Sequence, residues 1–251
     1  MKRLGFLLFN SITFLLTLYL NYLYGSGVGD RKSVGEISNQ YDTLITPAGY
    51  AFSIWGLIYL LLFGFIVYQW ISYFKKQFEK SIDPTYLWLG FSNLLNAIWI
   101  VVWTGEYLLL SVFIIFALLG TLLKLSISLS IGLKPSKPSL NVSLPIGIYV
   151  GWIIVASVVN LSVLFYSKSW LQTHDLLWTN LVLLVATGIY LFLLFKRNLL
   201  SSAFVGVWAF IAITVKQWNN EPILSYFSLT MALVLLLSVF FTLKNKKRYL
   251  Y

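Results

Sequence analysis

The sequence predicts an all-α integral membrane protein of about eight transmembrane helices, and three observations carry that prediction. Of its 251 residues, 59% are hydrophobic and 10% are charged, against about 45–50% apolar and about 25% charged in a soluble domain. One crossing of the hydrocarbon core takes about 20 apolar residues, so eight crossings use roughly 160 positions and leave enough for loops and termini. The 18 Lys and Arg, against 8 Asp and Glu, lie scattered between apolar runs. That is membrane topology rather than the one-sided basic footprint of a nucleic-acid binder. No cysteine and a single histidine, His174, are present, which excludes disulfides, thiolate nucleophiles, iron–sulfur ligation and the usual His/Cys zinc sets.

Apolar runs bounded by charges or by Gly, Pro and Asn give the helices in order. The first, Leu4 to Tyr24, follows Lys2 and Arg3. It exceeds the roughly 7–15-residue apolar core of a secretory signal and no small-x-small cleavage site follows, so it reads as a retained helix. The second and third are Tyr50 to Tyr73 and Tyr86 to Thr104; only Gly105 and Glu106 separate the latter from the fourth, Tyr107 to Ile131, so a tight hairpin joins them. The remaining four are Leu144 to Tyr166, Leu176 to Phe195, Leu200 to Val215 and Ile223 to Leu243, the seventh being the shortest.

Orientation follows from the loops, because Lys and Arg are retained on the cytoplasmic side. With the N-terminus inside, the inner set is Lys2, Arg3, Lys75, Lys76, Lys80, Lys124, Lys134, Lys137, Lys196, Arg197, Lys244, Lys246, Lys247 and Arg248, and the outer set is Arg31, Lys32, Lys168 and Lys216. An even number of spans therefore places both termini in the cytoplasm. Lys124, inside the fourth run, reads as a lysine whose ammonium snorkels toward the interface.

Trp70, Trp88, Trp170, Trp178 and Trp218 fall near span ends, where indoles anchor at the headgroups. Three deeper groups are more informative. Trp55 and Tyr59 share one face of the second helix; Asn96, Trp99 and Trp103 share one face of the third; Trp152, Ala156 and Asn160 repeat every four residues on the fifth. An amide facing lipid leaves its donors and acceptors unpaired, so Asn96 and Asn160 should turn inward and bring these aromatics with them. The expected object is an aromatic-walled pocket in the outer half of the bundle, with Trp152 near its floor and the long segment Gly25 to Gly49 folded over its mouth. Such a pocket suits a flat apolar ligand with a few polar edges.

At these same residues the sequence resembles the TspO/MBR family, the tryptophan-rich sensory proteins and translocator protein. The second helix opens on Pro47 and carries Trp55-x-x-x-Tyr59; the third carries Asn96-x-x-Trp99 with Gly105 at its end; the fifth carries Tyr149-x-x-Trp152-x-x-x-Ala156-x-x-x-Asn160. The sequence departs from the family pattern at one of the usual paired prolines, at Ala51 beside Phe52, at Ser92 and at Ile148.

The resemblance implies a five-helix ligand-binding bundle over residues 1–166, leaving 167–251 as a three-helix C-terminal membrane extension. It implies a binding, sensory or carrier protein for a porphyrin-type tetrapyrrole, with Trp55, Tyr59, Asn96, Trp99, Trp103, Tyr149, Trp152, Ala156 and Asn160 as ligand-binding residues. No cofactor is required and no metal site is expected, with porphyrin or haem as ligand; the lipid bilayer and a second copy of the chain are the implied partners. Two alternatives stand beside this reading: a light-dependent porphyrin-degrading enzyme using Trp55 and Trp152, and an unrelated small-molecule transporter. Conventional acid–base catalysis has no support, because no carboxylate lies well inside a span and His174 falls in a loop.

Overall fold

The structure, a computed structural model, describes residues 2–29, 31–132, 139–171 and 174–248, with side chains as far as Asn245. Ten α-helices run in order: α1 Lys2–Leu20, continued by a π turn Asn21–Gly25; α2 Val34–Tyr41; α3 Ile54–Phe74, entered through a 3-10 turn Gly49–Ser53; α4 Ile82–Thr85; α5 Trp88–Thr104; α6 Leu108–Ser128; α7 Leu140–Ser167; α8 Asp175–Arg197; α9 Leu200–Gln217; and α10 Pro222–Arg248. Among the described residues there is no strand. Of the eight long helices, seven are long and apolar enough to cross a membrane. The chain is therefore an all-α, multi-pass integral membrane protein. Lys134 and Lys137 of the predicted inner set lie outside the described residues.

The shortest long helix is α5 with 17 residues, not the seventh, α9, which has 18. At 1.5 Å per residue α5 spans about 25 Å, less than the roughly 30 Å hydrocarbon core. Its start is cut back because the chain turns at Tyr86, whose φ is 48°, so the helix begins at Trp88. By contrast α9 runs on past Val215, because Lys216 and Gln217 find partners at Asp42 and at the Leu44 carbonyl.

Lipid tails are as apolar as leucine, so packing between these helices depends on small residues and polar contacts. The most buried helix is α7, which touches α3, α6, α8 and α9. Its Gly147-x-x-x-Gly151 face admits α9 closely: a Cβ on Gly151 would lie 2.9 Å from the Ser202 Cα and carbonyl oxygen, and one on Gly147 would lie 2.0 Å from Ser201 Oγ. Tyr190 of α8 donates its hydroxyl to the Gly151 carbonyl at 2.6 Å. Thus α8 and α9 pack directly on α7, and α10 packs on α8 and α9.

A polar seam joins α1 to α5. Asn10 Nδ2 donates to the Tyr86 carbonyl at 3.1 Å, and Asn10 Oδ1 accepts the Gly90 N–H at 2.8 Å. Asn93 Nδ2 donates to the Asn10 carbonyl, and Thr17 Oγ1 donates to the Asn93 carbonyl at 2.8 Å. Asn10, Asn93 and Thr17 are all buried. Pairing of this kind is what buried polar groups require among apolar helices. Lys124 is exposed, with its ammonium 5.9 Å from the centre of the Trp88 ring, as a snorkelling lysine beside an interfacial indole would be.

Candidate ligand-binding site

The site starts where the 3-10 turn delivers the chain into α3. Trp55 lies in the first turn of α3 and Tyr59 one turn later, so their rings stack at 5.7 Å with 22° between planes. Trp55 also stacks on Trp99 of α5 at 6.0 Å and 28°, and Trp99 stacks on Trp103, one turn further along α5, at 5.8 Å and 17°. Rings from α7 and the turn meet this column edge-on: Tyr149 at 6.2 Å and Trp152 at 6.3 Å from Trp55, and Phe52 at 5.9 Å from Trp152. Stacked and edge-to-face pairs at these separations are the favourable geometries for aromatic quadrupoles. Trp99, Trp103, Tyr149 and Trp152 are buried, as are Asn96 and Asn160.

Trp55, Trp99, Trp103, Trp152, Ala156 and Asn160 line a small cavity, closed by Val34, Ser38, Pro47, Phe52, Val155 and Val159. Its volume is about 20 Å³ for the centre of a water-sized sphere, room for about one water molecule. Tyr59 and Tyr149 back the wall through their contacts with Trp55, and Asn96 lies behind Tyr59. Drug-sized guests occupy roughly 300–1,000 Å³, so the rings and roof must part to admit one.

The polar groups in and behind the wall divide into two kinds. Asn160 is a strut: its Oδ1 accepts from Trp99 Nε1 at 2.9 Å and its Nδ2 donates to Ser111 Oγ of α6 at 2.8 Å. Asn96 accepts from Asn21 Nδ2 at 2.9 Å and from the Tyr59 hydroxyl at 3.3 Å. Trp55 Nε1, Trp152 Nε1 and Ser38 Oγ are buried without a hydrogen-bond partner, and all three residues line the same cavity. An indole nitrogen can only donate, so two residues of the wall carry unmet N–H donors. No charged residue lines the cavity.

The roof is residues 34–53, here called the lid. Its α2 is nucleated by a capping box, in which Ser33 Oγ accepts the Glu36 N–H and the Glu36 carboxylate accepts the Ser33 N–H. Those bonds hold the Glu36 carboxyl below its ordinary pKa. The α2 end is tied to the α5–α6 hairpin, where Glu106 adopts φ 59°. Its carboxylate accepts from the Tyr41 hydroxyl at 2.8 Å and from Gln40 Nε2 at 3.0 Å, and pairs with Lys32 at 3.5 Å. The Tyr41 bond, followed by Lys32 and Gln40, holds the Glu106 carboxyl below its ordinary range despite partial burial. Tyr41, by burial and then by Glu106, is pushed up to about 12.

The sequence motifs thus name the indole walls from α3, α5 and α7. The roof residues Val34 and Ser38 lie outside those motifs, although Ser33-x-x-Glu36 is a legible helix-start signature for the element that carries them. Glu106, read only as part of a hairpin, carries no sequence signal for its contacts across 65 and 66 positions. His174 is exposed at the start of α8.

Among known proteins, the family model described as TSPO-like protein matches residues 7–241, a span that includes most of α10. No curated protein and no solved structure matches.

Proposed function

The chain belongs to the TSPO-like family of membrane ligand-binding and sensory proteins, and from that premise we propose that it receives a flat, largely apolar guest of the porphyrin class between the indoles of α3, α5 and α7. The observation that carries the reading is the pair of buried, unpaired indole N–H groups of Trp55 and Trp152 in one cavity wall. A buried donor without an acceptor costs about 1–3 kcal/mol, and a guest bringing an acceptor relieves that cost while its ring face covers the aromatic column. Admission of the guest requires the lid to lift and the rings to separate, so the pocket is a minor conformation that the ligand makes dominant. In this reading the lid end faces outward and both termini face the cytoplasm, following the Lys and Arg distribution. The lipid bilayer then serves as the reservoir from which so apolar a ligand partitions.

Titration of the purified protein with protoporphyrin tests the reading. Saturable quenching of tryptophan fluorescence is expected, with affinity falling about tenfold, or about 1.4 kcal/mol, in the Trp55→Phe, Trp152→Phe pair. Quenching that survives both changes unaltered counts against the site. An absorbance series of the bound porphyrin in light and in darkness separates a receptor from a photochemical enzyme, which alone gives a protein-dependent product.

A further inference from the structure

One face of α9 follows the lid along its length. Trp208, Ala212 and Lys216 repeat every four residues on α9, with Gln217 beside them. Trp208 Nε1 donates to the Ala51 carbonyl at 3.4 Å, and its ring meets Tyr50 edge-on at 5.2 Å. One turn along, the Ala212 carbonyl accepts the Ala48 N–H at 3.1 Å. After another turn, Gln217 Nε2 donates to the Leu44 carbonyl at 3.0 Å. Lys216 lies 2.7 Å from Asp42 and pairs with it by charge, without an aligned hydrogen bond. From Trp208 to Lys216 and Gln217 these contacts run back along the lid from Ala51 to residues 42–44, and the stretch they hold includes Pro47, a cavity wall residue.

Resting on the reading of the cavity as a ligand site, we infer that α9 is the latch of the lid: the C-terminal helices set how often the cavity opens, and a displacement of α9 is transmitted to the roof. The physical reason is an asymmetry in how the lid is attached: the α2 side has, besides Glu106, a bond of 3.4 Å from Trp103 Nε1 to the Val34 carbonyl. Glu106 grips the α2 end through the side chains of Tyr41, Gln40 and Lys32, of which the last two are exposed. On the opposite side, α9 grips residues 42–51 partly through backbone groups, Ala48 N–H and the Leu44 and Ala51 carbonyls. Close seating of α9 on Gly147 and Gly151 of α7 fixes that face relative to the cavity wall, because Trp152 follows Gly151 directly. A segment whose backbone bonds are made to a neighbouring helix opens only when those bonds break.

The absence of cysteine from the chain makes a clean test available. The Ala48–Ala212 backbone bond of 3.1 Å makes these neighbouring residues the pair to cross-link. In the Ala48→Cys, Ala212→Cys variant, oxidation should slow amide exchange across 42–53 and slow protoporphyrin association by roughly tenfold or more, both reversed by dithiothreitol. The Lys216→Gln, Gln217→Ala variant should do the opposite, speeding exchange across 42–53 while leaving α5 to α7 unchanged, and speeding association. If exchange across 42–53 is the same as wild type in the loosened variant, the latch is refuted. If exchange responds but protoporphyrin associates at an unchanged rate, the latch holds the lid without gating the cavity and the inference fails. If exchange responds as expected and protoporphyrin does not bind even wild type, the ligand reading fails while the latch stands.

Discussion

The α1–α5 seam and the aromatic cavity both bury polar groups among apolar helices, and they treat them in opposite ways. In the seam, Asn10 uses both ends of its amide, and Asn93 and Thr17 close the remaining gaps onto backbone carbonyls. In the cavity, two indole N–H groups and a serine hydroxyl are left without partners. Asn96 stands between the regions: its oxygen accepts from Asn21 and Tyr59, while its Nδ2 has no partner. Burial of a polar residue in a membrane bundle therefore does not by itself mark a site. Paired groups hold helices together, whereas unpaired donors in a cavity wall are chemistry kept for something else.

The sharpest break of this comparison is Asn10→Leu. It strips the acceptor from the Gly90 N–H and the donor from the Tyr86 carbonyl inside the bundle, and stability should fall by about 2–3 kcal/mol. Thermal melting in detergent should record this, with protoporphyrin affinity unchanged in the folded fraction. Trp55→Phe alone removes no hydrogen bond and relieves an unpaired donor, so its lost packing is partly offset and the net cost is about 1 kcal/mol at most. A larger loss for Trp55→Phe than for Asn10→Leu would invert the assignment of seam and site.

The smallest expected effect concerns the lid. Glu106 is held below its ordinary pKa, so its contribution is present above the usual carboxylate value of 4.5 and is lost as pH falls below it. Tyr41 is raised from 10.0 to about 12, so its contribution is present below 10 and is lost as pH rises toward 12. Both groups are partly exposed to solvent and so partly screened. Amide exchange across α2 should accordingly be slowest between these limits and faster on either side, and Glu106→Gln should shrink the acid limb to the part the Glu36 capping box supplies.

Much of the fold is legible in the sequence because the bilayer imposes one rule on every span: enough consecutive apolar residues with their backbone groups paired internally. Helix starts and stops were less legible where a turn or a remote partner decides them, as at Tyr86, which shortens α5, and at Lys216 and Gln217, which lengthen α9. The indole walls followed from residue spacing on α3, α5 and α7, since four-residue repeats place side chains on one face. The roof was only half legible: Ser33 and Glu36 announce α2, but nothing local shows that Val34 and Ser38 close the cavity. The close approach at Gly147 and Gly151 has a sequence pattern, yet which helix fills it is a three-dimensional fact.

By itself, the amino-acid sequence determined a helical membrane protein, the approximate extent of its spans, and the faces on which Trp55, Trp99, Trp103 and Trp152 lie, because hydropathy and helical periodicity are local properties. Tertiary structure alone decided that Asn160 is a strut, that the Trp55 and Trp152 donors stay free, and that the lid is held by Glu106 on one side and α9 on the other. Hydrogen-bond pairing depends on which groups from distant segments meet, and here those segments are up to 173 residues apart.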